Sequence, residues 1–194
     1  EDSFLLGAMG ASFISGAQYD PTVVDPAEPD FPAEDTYRIQ ACAKHLAANN
    51  IEDTRIYVNA VLDDRTLREV YLPHFKKAVE AKVSCVMTAY NRVNGSYNGY
   101  SKTLVRDILK GEWGYQGFVV SDWFAKGLTL LSPVAGLDIE MPFSSGPFPG
   151  QFDSAYFYGA NLVAAVNSGG VDATLVDEAA MRILHSKVKN GVLT

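Results

Sequence analysis

Three consecutive apolar residues, Phe118–Val119–Val120, stand between the glycines Gly114 and Gly117 and the polar triplet that begins Ser121–Asp122–Trp123. A strand with one wet face alternates apolar and polar; this run does not, so it reads as a strand buried on both faces. Ile39–Ala43, Ser84–Tyr90 and Gly136–Met141 read as three more. Helical patterns separate them. Leu67, Val70, Tyr71, Phe75, Ala78 and Val79 share one face, Leu104, Ile108 and Leu109 another, and Leu128–Ala135 forms a short helix broken by Pro133. No two-residue hairpin turn joins one of these strands to the next. Alternation of this kind specifies βαβ units and a parallel sheet. Four units cannot close an eightfold barrel, so the chain reads as half a barrel and a piece of something larger.

Local signals set the remaining elements. Leu5, Leu6, Met9 and Phe13 recur at helical spacing before Gly16. Pro21, Pro26, Pro29 and Pro32 exclude a regular helix from Tyr19 to Asp35, a loop long enough to be functional or disordered. Thr66–Leu67–Arg68–Glu69 reads as a capping box. Pro73 either kinks the following helix or opens a second one at its first position. Ser101 or Thr103 opens the Leu104 helix. Beyond Gly136–Met141, a Pro/Gly/Ser loop over Phe143–Gly150 leads to a helix from about Phe152 to Asn167. A last helix carries Leu175, Val176, Ala179 and Ile183 on one face.

The formal net charge of −7, with no basic cluster, argues against nucleic acid or an anionic membrane as a partner. No apolar run approaches the roughly 20 residues that span a bilayer. Cys42 and Cys85 each sit in an apolar, strand-like run and read as small buried hydrophobes rather than a disulfide or metal pair. His45, His74 and His185 are far apart in sequence, so no zinc-type spacing occurs and no metal is expected. Glu1–Asp2–Ser3 leads directly into a helical pattern without an initiator Met or signal peptide. We read this as a start inside a longer gene product, which leaves the compartment open.

In a parallel β/α fold all strands end on one rim, and chemistry concentrates there. The strand ends here offer Lys44 and His45, Tyr90 and Asn91, Asp122 and Trp123, and Asp138 and Glu140. Each has a plain structural alternative. Ser121 or Asp122 could cap the next helix, Lys44 could pair with an acid, His45 could be a satisfied core histidine, Tyr90 could be packing, and Trp123 could plug the barrel mouth. On one rim together, they favour function.

Five segments, in this order, carry a resemblance. They are Ala43-Lys44-His45-Leu46-Ala47-Ala48-Asn49, Asp64-Arg65-Thr66-Leu67-Arg68-Glu69-Val70-Tyr71-Leu72-Pro73, Val86-Met87-Thr88-Ala89-Tyr90-Asn91, Gly117-Phe118-Val119-Val120-Ser121-Asp122-Trp123 and Ala135-Gly136-Leu137-Asp138-Ile139-Glu140-Met141-Pro142. The chain resembles glycoside hydrolase family 3, the β-glucosidase and β-xylosidase family, over nearly its whole length. The resemblance implies an α/β fold: a TIM-barrel-like (β/α)8 domain, with residues 1–194 supplying the C-terminal part of the family's N-terminal catalytic domain. It implies Asp122 as nucleophile, Lys44 and His45 as ligands of sugar hydroxyls, Tyr90 beside the nucleophile, and Trp123 as a wall of the subsite for the non-reducing sugar. It implies no cofactor, and a β-glucoside or oligosaccharide as substrate. The residue types suit a retaining glycosidase, which needs two carboxyl groups about 5–5.5 Å apart, and an indole face suits a pyranose ring.

The resemblance also implies what this chain does not hold. The family's acid/base glutamate comes from a second α/β domain downstream, and the first part of the barrel supplies an Asp and an Arg to the same sugar. Neither Glu140 nor Glu112 should be drafted into the acid/base role, and the remaining segments of the enzyme are expected as partners. Secreted fungal relatives place a cysteine in the loop after the Tyr-Asn strand; here that loop reads Ser96–Tyr97–Asn98–Gly99–Tyr100, without one. The expected activity is that of a β-glucosidase. Alternatives are a β-xylosidase of the same family, or a non-catalytic fragment that binds sugar or only packs. The N-acetylglucosaminidase branch carries a Lys-His-Phe-Pro-Gly type segment, where this chain has Leu46–Ala47–Ala48 after His45. Asn94–Gly95–Ser96 is a glycosylation sequon. With the family's extracellular habit, it leads us to expect a secreted glycoprotein with glycan on Asn94.

Overall fold

The computed structural model describes residues 2–19, 24–25, 28–32, 39–141, 157–190 and 192–193. In chain order the elements are α1 (Ser3–Gln18), β1 (Val24–Asp25), β2 (Glu28–Pro32), β3 (Cys42–Leu46) and β4 (Asn59–Ala60). Next come α2 (Asp64–Thr66), which continues as a π-helical segment Leu67–Tyr71, then α3 (Pro73–Glu80) and β5 (Cys85–Thr88). β6 (Arg92–Val93), β7 (Ser96–Tyr97), a 3₁₀ turn Asn98–Tyr100, a π-helix Thr103–Glu112 and β8 (Phe118–Val120) follow. The chain continues through α4 (Leu131–Ala135), α5 (Ala160–Asn167) and α6 (Ala173–Lys189).

The central sheet is parallel, in the order β3-β5-β8. Cys42 pairs with Cys85 and Cys85 with Phe118; one residue on, Ala43 pairs with Val86 and Val86 with Val119. Val120 then forms a parallel bridge to Ile139. Strands in sequence order with helices between them make a β/α barrel wall, as expected. The expected fourth strand, Gly136–Met141, reduces to that bridge among the described residues. The first strand is displaced: it runs over Cys42–Leu46 rather than Ile39–Ala43, so Lys44 and His45 lie within it. The cause is at the strand foot. Fully buried Gln18 accepts from the N–H groups of Ala41 (3.1 Å) and Ser84 (2.8 Å) and donates to Lys82 O (3.0 Å). Ala41 N–H is thus committed to a side chain, and sheet pairing starts one residue later.

Side-chain parity assigns the faces. Ala43, Val86 and Val119 join Leu46, Leu72, Phe75, Leu104, Val105, Ile108 and Leu109 in one apolar core between sheet and helices. Burying each such aliphatic side chain is worth about 1.5–3 kcal/mol. Cys42, Cys85, Met87, Phe118, Val120 and, by continuation, Asp122 belong to the other face; in β3 the register breaks between Ala43 and Leu46, so the alternation does not carry through Lys44 and His45. Cys42 and Cys85 are bonded as a disulfide, which corrects their reading as separate buried thiols. Directly paired positions on neighbouring strands bring their Cα atoms to 4.2 Å, a proximity that neither apolar run announces alone.

Other local readings are corrected in the same way. Asp63, not Thr66, caps the helix before Pro73. Its carboxylate accepts from Thr66 N (2.7 Å) and Thr66 Oγ (2.8 Å), while Glu69 pairs with Arg65. Of the two options for Pro73, the second holds, since it opens α3. Ser101, rather than Thr103, bonds the Leu104 N–H (3.4 Å). Pro133 lies in the first turn of α4, where a missing N–H removes no helical bond. In α1 the residues Leu5, Leu6, Met9 and Phe13 are exposed; Gly7, Ile14 and Gln18 are buried. A Cβ on Gly7 would come within 3.1 Å of Lys77 and 3.2 Å of the His74 backbone, so glycine permits the close approach of α1 to α3. Between Tyr19 and Asp35, β1 and β2 pair antiparallel; the rest of that loop, the Phe143–Gly150 loop and the start of the helix expected from Phe152 lie outside the described residues. Among the described residues, the helix expected from about Phe152 to Asn167 opens only at Ala160, as α5, because Phe157–Gly159 form a bend and turn that ends in Gly159 with φ 60°.

A small rim sheet sits beside the strand ends, with β4 parallel to β6 and β6 antiparallel to β7. The β6–β7 turn is Asn94–Gly95, with φ of 48° and 88°. Two positive φ values are what a tight type I′ hairpin requires, so a hairpin forms in the loop after the Tyr-Asn strand.

Candidate active site

Asp122 follows β8 by two residues, and its position is set by the backbone around it. Ser121 N donates to Ile139 O (2.9 Å), and Ser121 Oγ accepts from Met141 N (2.9 Å). Neither Ser121 nor Asp122 caps a helix, since α4 starts only at Leu131. The Asp122 side chain is buried apart from an open edge. Oδ1 accepts from Trp123 N (2.7 Å), and Oδ2 lies 3.4 Å from His45 Nε2. The Tyr90 hydroxyl donates to Trp123 O (2.8 Å), and the Asp122 carboxylate lies close enough to raise its pKa. Four of the expected residues, His45, Tyr90, Asp122 and Trp123, therefore meet at one point, drawn from β3, the end of β5 and the end of β8.

The electrostatics follow from this grouping. Burial lowers the His45 pKa below 6.5, Asp122 opposes that shift, and Lys44 and Arg55 add to it. Burial thus favours the uncharged imidazole. Tyr90 is pushed up to about 12, first by burial and then by the Asp122 carboxylate. It keeps its proton and can donate it. Trp123 is 54% exposed, which leaves an indole face open beside the carboxylate.

Lys44 is exposed in the middle of β3 and, with His45, borders a cavity of about 530 Å³. Three other strand-end residues do not join the site. Asn91 is fully buried and donates to Ala47 O and Ala48 O (3.1 Å each), accepting in turn from Asn98 (3.2 Å). It braces the loop after β3. Asp138 faces the helix layer and pairs with Lys110. Glu140 accepts from the N–H groups of Phe157 (3.1 Å) and Tyr158 (2.8 Å).

Sequence reasoning missed Arg55. Its guanidinium lies 5.3 Å from the Tyr90 ring centroid and pairs with Glu52. The available signal was Glu52-Asp53-Thr54-Arg55, an acid–base pair at i,i+3 in the loop leaving β3, where barrel chemistry gathers. The sequon residue Asn94 is exposed at its hairpin, and its amide exchanges two hydrogen bonds with Leu62, at 2.9 Å each. Among the described residues no three of His, Cys, Asp and Glu cluster to hold a metal ion, and no helix is long and apolar enough to cross a membrane.

The model of the glycosyl hydrolase family 3 N-terminal domain matches residues 1–186. The chain belongs to glycosyl hydrolase family 3. This family 3 chain is 37% identical to thermostable beta-glucosidase B of Acetivibrio thermocellus, over 95% of its own length and 21% of the relative's. It is 38% identical to a beta-glucosidase of Rhizobium radiobacter, over 95% and 19%. Among solved structures, beta-glucosidase 3B of Thermotoga neapolitana superposes with a TM-score of 0.80 at 30% identity, over 97% of this chain and 24% of that one. DesR, a beta-glucosidase from Streptomyces venezuelae in complex with D-glucose, gives 0.70 at 37% identity, over 78% and 20%. The chain spans about a fifth to a quarter of the length of these relatives. Its fold is accordingly a part of the family's (β/α)8 domain.

Proposed function

We propose that this chain carries the nucleophile side of a retaining β-glucosidase, one that hydrolyses terminal non-reducing β-D-glucosyl residues. One observation carries the reading: a carboxylate just past the end of a buried strand, Asp122, has the His45 imidazole 3.4 Å away and an exposed indole as its neighbour in the chain. In this role Trp123 takes the apolar face of the pyranose ring, and Lys44, His45 and Arg55 bind its hydroxyls. Tyr90 holds its proton beside the carboxylate. Asp122 attacks the anomeric carbon to form a glycosyl ester as the bond to the aglycone oxygen breaks, and that oxygen takes a proton from the acid/base group. Water, deprotonated by the same group, then displaces Asp122 and releases the sugar. The glucose assignment, ahead of xylose, is supported by the beta-glucosidase names of the relatives. Family membership assigns the acid/base group to a further segment of the enzyme, and the partners that Glu140, Glu112 and Asp138 have here are consistent with that.

The test is covalent trapping. A 2-fluoro glucoside with an activated leaving group, reacted with the complete enzyme, is expected to add one sugar to the peptide containing Asp122. A label on any other carboxylate overturns the assignment. A fluorinated xyloside reacting faster would move the substrate class to xylosides.

We further propose that the protein is secreted and carries glycan on Asn94. The residue is exposed at a hairpin tip, and one Nδ2 hydrogen stays available when the other bonds Leu62 O. Native material from a eukaryotic host should show a hexose-rich mass increment on this peptide. The bare peptide mass there argues against it.

A further inference from the structure

Behind the site, on the helix side of the sheet, lies a buried ion pair that no catalytic step uses. Lys110, from the π-helix Thr103–Glu112, places Nζ 2.8 and 2.9 Å from the two carboxylate oxygens of Asp138 and 2.7 Å from Gly136 O. The side chains are 5% and 3% exposed. Two charges removed from water to this extent cost several kcal/mol each, which their attraction offsets only with good geometry and additional hydrogen bonds. The additional bond here goes to the site's own strand: Asp138 Oδ2 accepts from Val119 N at 2.7 Å. Val119 O in turn accepts from the N–H groups of Asp138 (2.9 Å) and Ile139 (3.0 Å), and Ile139 O takes Ser121 N (2.9 Å). The segment 136–141 and the strand that delivers Asp122 are thus clamped together at Val119 and Ser121, and Lys110 fastens the clamp to the helix layer.

We propose that Lys110 and Asp138 are positioning residues for the Asp122 carboxylate. They fix the height of β8 so that Oδ2 sits against His45 Nε2. The catalytic meaning of this rests on Asp122 being the nucleophile; the geometry itself does not. An apolar pair of similar volume would satisfy packing equally well but would leave Val119 N–H without its acceptor and β8 free to shift.

The test uses the complete enzyme and two variants. Asp138→Asn is isosteric. Burial already pulls Lys110 down to about 8, so it can shed its proton beside a neutral amide. Asp138→Leu/Lys110→Met removes both charges and the acceptor of the Val119 N–H, and keeps the fold testable if the single variant is unstable. The first readout is the NMR titration of His45, which faces Asp122, Lys44, Arg55 and Glu52. Asp122 is the nearest acid raising its pKa, so a displaced carboxylate lets the pKa fall further, towards the value in an Asp122→Asn control. The second is the labelling of Asp122 by the 2-fluoro glucoside, resolved into affinity and maximal rate. We expect the maximal rate to fall at least about tenfold, as for an ångström-scale misplacement, with affinity little changed. A folded variant whose His45 titrates as in the wild type overturns the positioning role. A wild-type enzyme that never labels at Asp122, while the His45 titration still shifts in the variants, overturns the nucleophile reading and leaves the positioning role standing.

Discussion

Asp122→Asn is expected to abolish β-glucoside hydrolysis by the complete enzyme, by several orders of magnitude in kcat, while the fold is retained. Removing a nucleophile eliminates the covalent route itself, and losses of this size follow elsewhere. The fold survives because the change is isosteric. The amide oxygen of the variant can still accept the 2.7 Å bond from Trp123 N, and burial favours the uncharged form of the His45 imidazole opposite, so no unpaired charge is left there. Circular dichroism and the thermal midpoint should match the wild type. Azide offers a sharper check. In Asp122→Gly, where loss of the side chain leaves room for it, azide should restore turnover of an activated substrate, giving a glycosyl azide of inverted configuration. Turnover near the wild-type rate in Asp122→Asn would sink the assignment.

Which parts of this site were legible depends on which physical signal each residue left in the sequence. β8 was legible because consecutive apolar residues ending abruptly in a carboxylate and an indole leave few alternatives. β3 was misplaced because its last residues carry charge. Lys44 and His45 look like the start of a loop, yet they lie inside β3, in the register break between the Ala43–Val86 and Leu46–Thr88 pairs. The disulfide was invisible for a related reason. Cys42 and Cys85 are 43 positions apart, and only the register of β3 on β5 makes them neighbours. Asp138 and Glu140 were grouped with the rim because they end the fourth apolar run. Alternation along that run puts Asp138 on the helix side, but the partner that makes burial tolerable, Lys110, belongs to another element. Nothing in Gly136-Leu137-Asp138 names it.

The chain of residues 1–194 by itself is expected not to hydrolyse an unactivated β-glucoside, although it holds the proposed nucleophile. A retaining enzyme divides its work between two carboxyl groups, and protonating the leaving oxygen is typically worth about 10²–10⁴-fold. Among the described residues, every carboxylate considered for that task has other partners. Glu140 holds two backbone N–H groups, Asp138 holds Lys110 and Val119 N, and Glu112 makes a bidentate pair with Arg68 (2.7 and 2.8 Å). Glu52 sits near Tyr90 but is paired with Arg55. Burial raises the Glu140 pKa, the direction an acid catalyst needs, yet the same residue spends both oxygens on the Phe157–Tyr158 turn. Solubility adds a second obstacle. Phe4, Met9 and Phe13 are 78, 64 and 73% exposed along α1, an apolar face of the kind that drives association. The measurement is expression of residues 1–194 alone, with assays on a dinitrophenyl glucoside, whose leaving group needs no proton, and on cellobiose. We expect an aggregation-prone chain, with any trace of turnover confined to the activated substrate. A soluble monomer that cleaves cellobiose would place the acid/base group within these residues, and Glu52 would be the first to replace.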